Sequence, residues 1–167
     1  MSLINFASTA LSEVLATIPS DKKLIIEIKS SAEIIPYLKK EIQNSNLKND
    51  QIEIICFDLI TITAVKKDMP QFKCLWLLDL DYIWINRIFP PNIDRIISKT
   101  KKYNLDGINV WAGKILTPHF AEKIKAANLL LYCWTVNDPV KAEKLFNMGV
   151  DGVTTDRQLY IKTTNFE

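Results

Sequence analysis

Residues 132–157 read YCWTVNDPVKAEKLFNMGVDGVTTDR. The first few continue an apolar run, LLLYCWTV, that reads as a strand. Asp138 then offers a side-chain oxygen to cap a helix, and Pro139 suits the first helical position, where no N–H is needed. Residues 138–147 carry apolar side chains at helical spacing. Gly149 supplies a helix stop, and VDGVTT at 150–155 reads as a second strand. A strand, a short helix and a strand in so little chain is a parallel β-α-β unit, so the fold class is α/β.

The same unit recurs upstream. TPHFAEKIKAAN at 117–128 repeats the opening with Thr117 and Pro118, and LDGINV at 105–110 is the strand before it. Residues 91–102 (PNIDRIISKTKK) carry Ile at 93, 96 and 97, a helical signature. FKCLWLL at 72–78 and IEIICF at 52–57 are strands, joined by a short helix over 58–67 with Asp58 as its N-cap. Residues 32–43 (AEIIPYLKKEIQ) form an amphipathic helix that tolerates Pro36 only near its start. LIIEIKS at 24–30 is the first strand, and Thr9 to Ile18 a helix that Pro19 ends. Residues 79–90 read as a long loop with a helical turn. Six strands, centred near residues 27, 55, 75, 108, 132 and 152, thus alternate with helices. An open doubly wound sheet and a β/α barrel both fit. Only four glycines occur, and no phosphate-cradling glycine loop is present, which disfavours a nucleotide-binding sheet.

At 167 residues the chain suits one domain, and 48% hydrophobic against 24% charged residues can bury a core. A net charge of +2 argues against nucleic acid as a partner. No apolar run approaches a membrane span, and the first residues lack the pattern of a signal peptide. Three cysteines, Cys56, Cys74 and Cys133, each sit in an apolar run with no metal-binding spacing, so they read as buried thiols in a reducing compartment. The expected location is cytoplasmic.

Glu27 and Lys29 interrupt the first strand. Alternation puts them on one face and Leu24, Ile26 and Ile28 on the other. One reading is an ion pair at an exposed strand end. The other is a site at the mouth of a barrel.

The segment Trp134-Thr135-Val136-Asn137, followed by Asp138-Pro139, Gly149 to Gly152 and Thr155-Asp156, resembles the end of a glycerophosphodiester phosphodiesterase domain. The Glu-x-Lys of LIIEIKS and the IICFD strand resemble that family in the same order, so the resemblance runs from about residue 8 to 160. It implies a TIM-type β/α barrel with a metal-assisted site for phosphodiester hydrolysis. It implies that Glu27 is a ligand of a divalent cation, Ca2+ or Mg2+, that Lys29 holds the substrate phosphate, and that Trp134 walls the site against the glycerol or alcohol group. Phe57 and Asn109 also face that site on this reading. Asp156 reads as a turn or cap residue.

The family's His-Arg-Gly, Pro-Glu-Asn and second-His motifs do not occur in these 167 residues. His119, the one histidine, opens a helix and reads as a surface or cap residue. No catalytic residue is therefore assigned. A β/α barrel has eight strands and about 250 residues. Residues 1–167 are thus expected to form a single, incomplete barrel domain of about six strands that lacks the first two, with a cation weakly held or absent. The expected partner is a small glycerophosphodiester or another phosphate-bearing ligand. Open sheet edges invite a second copy of the chain. The rival expectation is a non-catalytic barrel that binds a phosphate-bearing ligand or a protein.

Overall fold

The computed structural model describes residues 11–80 and 91–163. Up to the last strand its elements alternate as the sequence predicts, with ends shifted by a few residues, and a closing helix follows that the sequence did not predict. They are α1 at 11–17, β1 Leu24–Ile28, a 3-10 turn Ala32–Ile34, α2 Ile35–Gln43, β2 Ile52–Cys56, α3 Leu59–Asp68, β3 Lys73–Leu78, α4 Ile93–Lys102, β4 Gly107–Trp111, α5 Pro118–Ala126, β5 Leu130–Trp134, α6 Pro139–Asn147, β6 Gly152–Val153 and α7 Gln158–Thr163. Of the expected loop at 79–90, residues 81–90 lie outside the described residues, as do residues 1–10 and 164–167. The chain divides into two compact units, up to Leu75 and from Trp76 onward.

In the first unit β1 and β2 pair in parallel, Leu24 opposite Ile52 through Ile28 opposite Cys56. All of β2 is buried. β1 is only partly covered: Ile25 is 41% exposed, and only Ile28 is buried. The physical reason is coverage, because β1 pairs on one edge with β2 and no described strand pairs with its other edge. Leu15, Leu38, Ile42, Ile62, Val65 and Met69 close the helical side of this unit.

Asp58 caps α3 as predicted. Its carboxylate accepts from Ile60 N, from Thr61 N at 2.9 Å and from the Thr61 hydroxyl at 2.6 Å. Hydrogen bonds from Thr61 hold its pKa below the usual carboxylate value. Asp58→Ala is expected to cost about 1 kcal/mol, the usual worth of an N-cap, read from urea unfolding. Because the folded pKa is depressed, the carboxylate's contribution is complete above its unfolded value near about 4 and is lost as pH falls through the folded one. The gap between wild type and variant should therefore close in acid.

In the second unit β4, β5 and β6 pair in parallel in that order, Gly107 opposite Leu130 through Trp111 opposite Trp134, and Tyr132 opposite Gly152. Ile108, Val110, Leu131 and Cys133 point one way into a core shared with Phe120, Ala121, Ile124, Ala142 and Leu145. Asn92, Thr117 and Asp138 cap α4, α5 and α6 with their side chains.

These three helices also end alike. Each is followed by a residue with positive φ, Asn104 at 54°, Asn128 at 57° and Gly149 at 91°. The N–H of the next residue returns to the last turn: Leu105 to Thr100 O, Leu129 to Ile124 O, Val150 to Leu145 O. This is a Schellman ending, and the buried Leu105, Leu129 and Val150 supply the apolar contact that accompanies it. It aims each helix exit into the next strand. At the start of β5, Asp151 ties the strand to α5: its carboxylate accepts from Leu131 N at 2.8 Å and from Lys125 Nζ at 2.6 and 2.7 Å. All three cysteines are buried and free, and burial pushes the Cys133 thiol up to about 11.

Candidate functional site

In β/α barrels the chemistry sits at the C-terminal ends of the strands. In the first unit that end of β1 carries Glu27, with Lys29 just past the strand. Lys29 Nζ lies 3.8 Å from Glu27 Oε2, and the two side chains are 80% and 34% exposed. The predicted sharing of a face is therefore present. At that distance and exposure the pair contributes little to stability, and the ammonium is free to turn to an anion. Both residues border an open groove of about 420 Å3, together with Ile26, Ile28, Tyr37 and Leu38. Phe57, at the end of β2, is 47% exposed.

Glu27 is the one acid of this unit for which the sequence suggests a cation. A hard divalent ion takes six or more oxygen ligands, usually several of them carboxylate. Among the described residues no three His, Cys, Asp or Glu side chains come together to hold a metal. One half-exposed carboxylate beside a lysine does not fit a resident Ca2+ or Mg2+.

In the second unit Trp134 closes β5, opposite Trp111 at the end of β4. Their rings meet edge to face, centroids 5.0 Å apart at 70°, a favoured aromatic geometry. Trp111 is 38% exposed, while Asn109 on the same strand face is 1% exposed. The turn after β5 is clasped to the end of β6. Asn137 Oδ1 accepts from the Thr155 hydroxyl and from Asp156 N, both at 2.9 Å, and Asn137 Nδ2 donates to Asp156 Oδ2 at 3.1 Å. Val136 N adds a bond to Thr154 O at 2.8 Å. Asp156 is thus a turn residue, as expected. On the neighbouring loop Ala112 N reaches Trp134 O at 2.7 Å, and Lys141 Nζ from α6 reaches Ala112 O at 2.6 Å. His119 is exposed in the first turn of α5.

Two features escaped the sequence reading. Trp111 is the ring partner of Trp134, and register alone exposes it, since both close their strands. Asn137 is the centre of the clasp; the signal was a side-chain amide directly after a strand and before a helix cap.

The pattern of the Glycerophosphoryl diester phosphodiesterase family matches residues 8–159. Human glycerophosphocholine phosphodiesterase is 29% identical over 130 residues, which cover 72% of this chain and 18% of that protein. The mouse protein of the same name is 28% identical over the same shares. The chain thus spans less than a fifth of the curated relatives it matches. Among solved structures, the glycerophosphodiester phosphodiesterase from Thermotoga maritima superposes with a TM-score of 0.69 at 21% identity, over 92% of this chain and 62% of that one. A phosphodiesterase from Oleispira antarctica, solved with the product sn-glycerol-3-phosphate, gives a TM-score of 0.66 at 18% identity, over 84% of this chain and 54% of that one. At such identities the likeness shows the fold: an incomplete β/α barrel of the TIM type, with six strands among the described residues.

Proposed function

Because the chain belongs to the glycerophosphoryl diester phosphodiesterase family, we propose that it recognises a glycerophosphodiester or the glycerol phosphate derived from one, and that by itself it does not turn the diester over. The family reaction is hydrolysis to an alcohol and glycerol phosphate with the help of a divalent cation. The observation that carries the binding half is the exposed Lys29 ammonium at the C-terminal end of β1, held only loosely by Glu27 at 3.8 Å. A compact ammonium on a flexible stem suits a phosphate anion. Glu27 lies beside the lysine at the same strand end. Trp134 packs against the glycerol or the alcohol.

The second half of the proposal rests on proton chemistry. Breaking the diester requires a base to activate the nucleophile and an acid to protonate the leaving alkoxide. His119, the one histidine of the chain, is exposed on a helix and has no carboxylate bonded to it among the described residues. Recognition of the anion needs none of this machinery, so binding without turnover is the expected behaviour of the chain.

The test is titration of the 167-residue chain with sn-glycerol 3-phosphate, followed by NMR. Lys29→Ala should weaken binding by about tenfold, the loss of one charge-assisted contact. Wild-type binding that Lys29→Ala leaves unchanged would rule out the assigned role of Lys29.

A further inference from the structure

Among the described residues β1 pairs with β2 and with no other strand. A strand paired on one side turns half of its backbone N–H and C=O groups to the open edge, and such edges are usually guarded by lysine, proline or a bulge. Leu24–Ile28 carries neither lysine nor proline. Ile25, in its second position, leaves 41% of its surface open. Ile26 and Ile28, on the opposite face, line the open groove beside Tyr37 and Leu38.

The charges along this edge form a palindrome. Alternate residues from 21 to 29 are Asp21, Lys23, Ile25, Glu27 and Lys29. Strand alternation puts Lys23, Ile25 and Glu27 on one face. Lys23 reaches Glu53, the register partner of Ile25, which agrees with that face. A two-fold axis at Ile25 runs two copies of β1 antiparallel. It sets Ile25 against Ile25 of the second copy, and Lys23 against Glu27 and Leu24 against Ile26, each twice. Opposite charges facing each other across a strand pair stabilise it, and like charges destabilise it. The neighbouring registers lose the match. Centred on Ile26, Lys23 meets Lys29 and Ile25 meets Glu27. Centred on Leu24, Asp21 meets Glu27 and Lys23 meets Ile25.

We propose that β1 is a self-complementary edge, at which two copies of this chain pair antiparallel about Ile25. Lys23 keeps its bond to Glu53, since an ammonium has three donors and its side chain is 54% exposed. The outer Asp21 and Lys29 lie beyond the ends of the strand and are exposed, so their contact adds little and leaves Lys29 open to an anion. The inference does not depend on the ligand proposed above.

The experiment is sedimentation equilibrium of the full chain through the micromolar range. Wild type is expected to move from 19.2 kDa toward twice that mass. Ile25→Lys sets two ammonium groups against each other at the axis and removes the apolar contact, so it should weaken association by about tenfold. Ile25→Cys keeps the edge uncharged and puts a thiol opposite its own copy, while the three native cysteines are buried. In air it should form a disulfide-linked dimer faster than Ile60→Cys, a control on the exposed side of α3. The cysteine pair decides the matter should Ile25→Lys fail to fold. A monomer at every concentration overturns the inference, and so does a dimer that Ile25→Lys leaves intact. Cross-linking of Ile25→Cys no faster than Ile60→Cys overturns it too, and masses beyond the dimer contradict a closed two-fold contact.

Discussion

Gly107→Ala is expected to destabilise the second unit by about 3 kcal/mol or more, the range of severe overpacking. Gly107 opens β4 and faces Leu130 across the ladder. A β-carbon there would lie 2.2 Å from Leu130 O and 2.6 Å from Leu130 Cβ. The first of these is a backbone atom, fixed by the Leu130 N–H bond to Asp106 O at 2.9 Å and by the ladder itself. No rotamer relieves the clash, so the strands must part at the end where Asp151 and Lys125 hold β5 in place. Amide exchange should show early opening at 107–111 and 130–134, with a lower urea midpoint. A loss below about 1 kcal/mol, the level of ordinary surface changes, would mean that the two strands separate there at little cost and that the close approach is not a constraint.

The second large effect lies in the first unit. The Glu53 side chain is 2% exposed and bonds to Lys23 Nζ at 3.2 Å, while Lys23 is 54% exposed. Removing one partner of a buried pair leaves the other charge without compensation, and that costs more than the pair itself contributes. Lys23→Ala is therefore expected to lose about 2 kcal/mol, less than for a fully buried pair because water reaches the lysine side. Glu53→Gln in the same background should recover most of the loss, since a neutral amide is cheaper to bury than a lone carboxylate. The two unfolding curves decide the matter. Equal stability of Lys23→Ala and wild type would show that water solvates Glu53 without help.

Much of this fold is written locally. Asp58, Thr117-Pro118 and Asp138-Pro139 state where helices begin, and the side-chain caps form there. Gly149 states where one ends, with φ 91°. Asn104 and Asn128 make the same stop in α4 and α5, yet asparagine is also at home in loops, so its meaning emerges only with the buried residue that follows. The exposure of Ile25 was not legible, because a run such as LIIEI looks alike with one edge covered or two.

The candidate site was legible where chemistry is local. Glu27 and Lys29 share a face because strands alternate, and their separation follows. The pairing of Trp111 with Trp134, and the burial of Asn109 opposite Tyr132, depend on register between strands more than twenty residues apart in sequence. Periodicity within one strand carries no information about that register. The clasp of Asn137 on Thr155 and Asp156 likewise joins two turns that only the parallel pairing of β5 and β6 brings together.

The most direct test of recognition without turnover is a 31P NMR record of glycerophosphocholine incubated with the purified chain and excess Mg2+ or Ca2+. The diester resonance should shift or broaden on binding, and no phosphomonoester signal should grow in over the spontaneous background. Growth of a glycerol phosphate signal that depends on the added cation and on Glu27 would contradict the account, and would place an acid, a base and a metal site within these 167 residues.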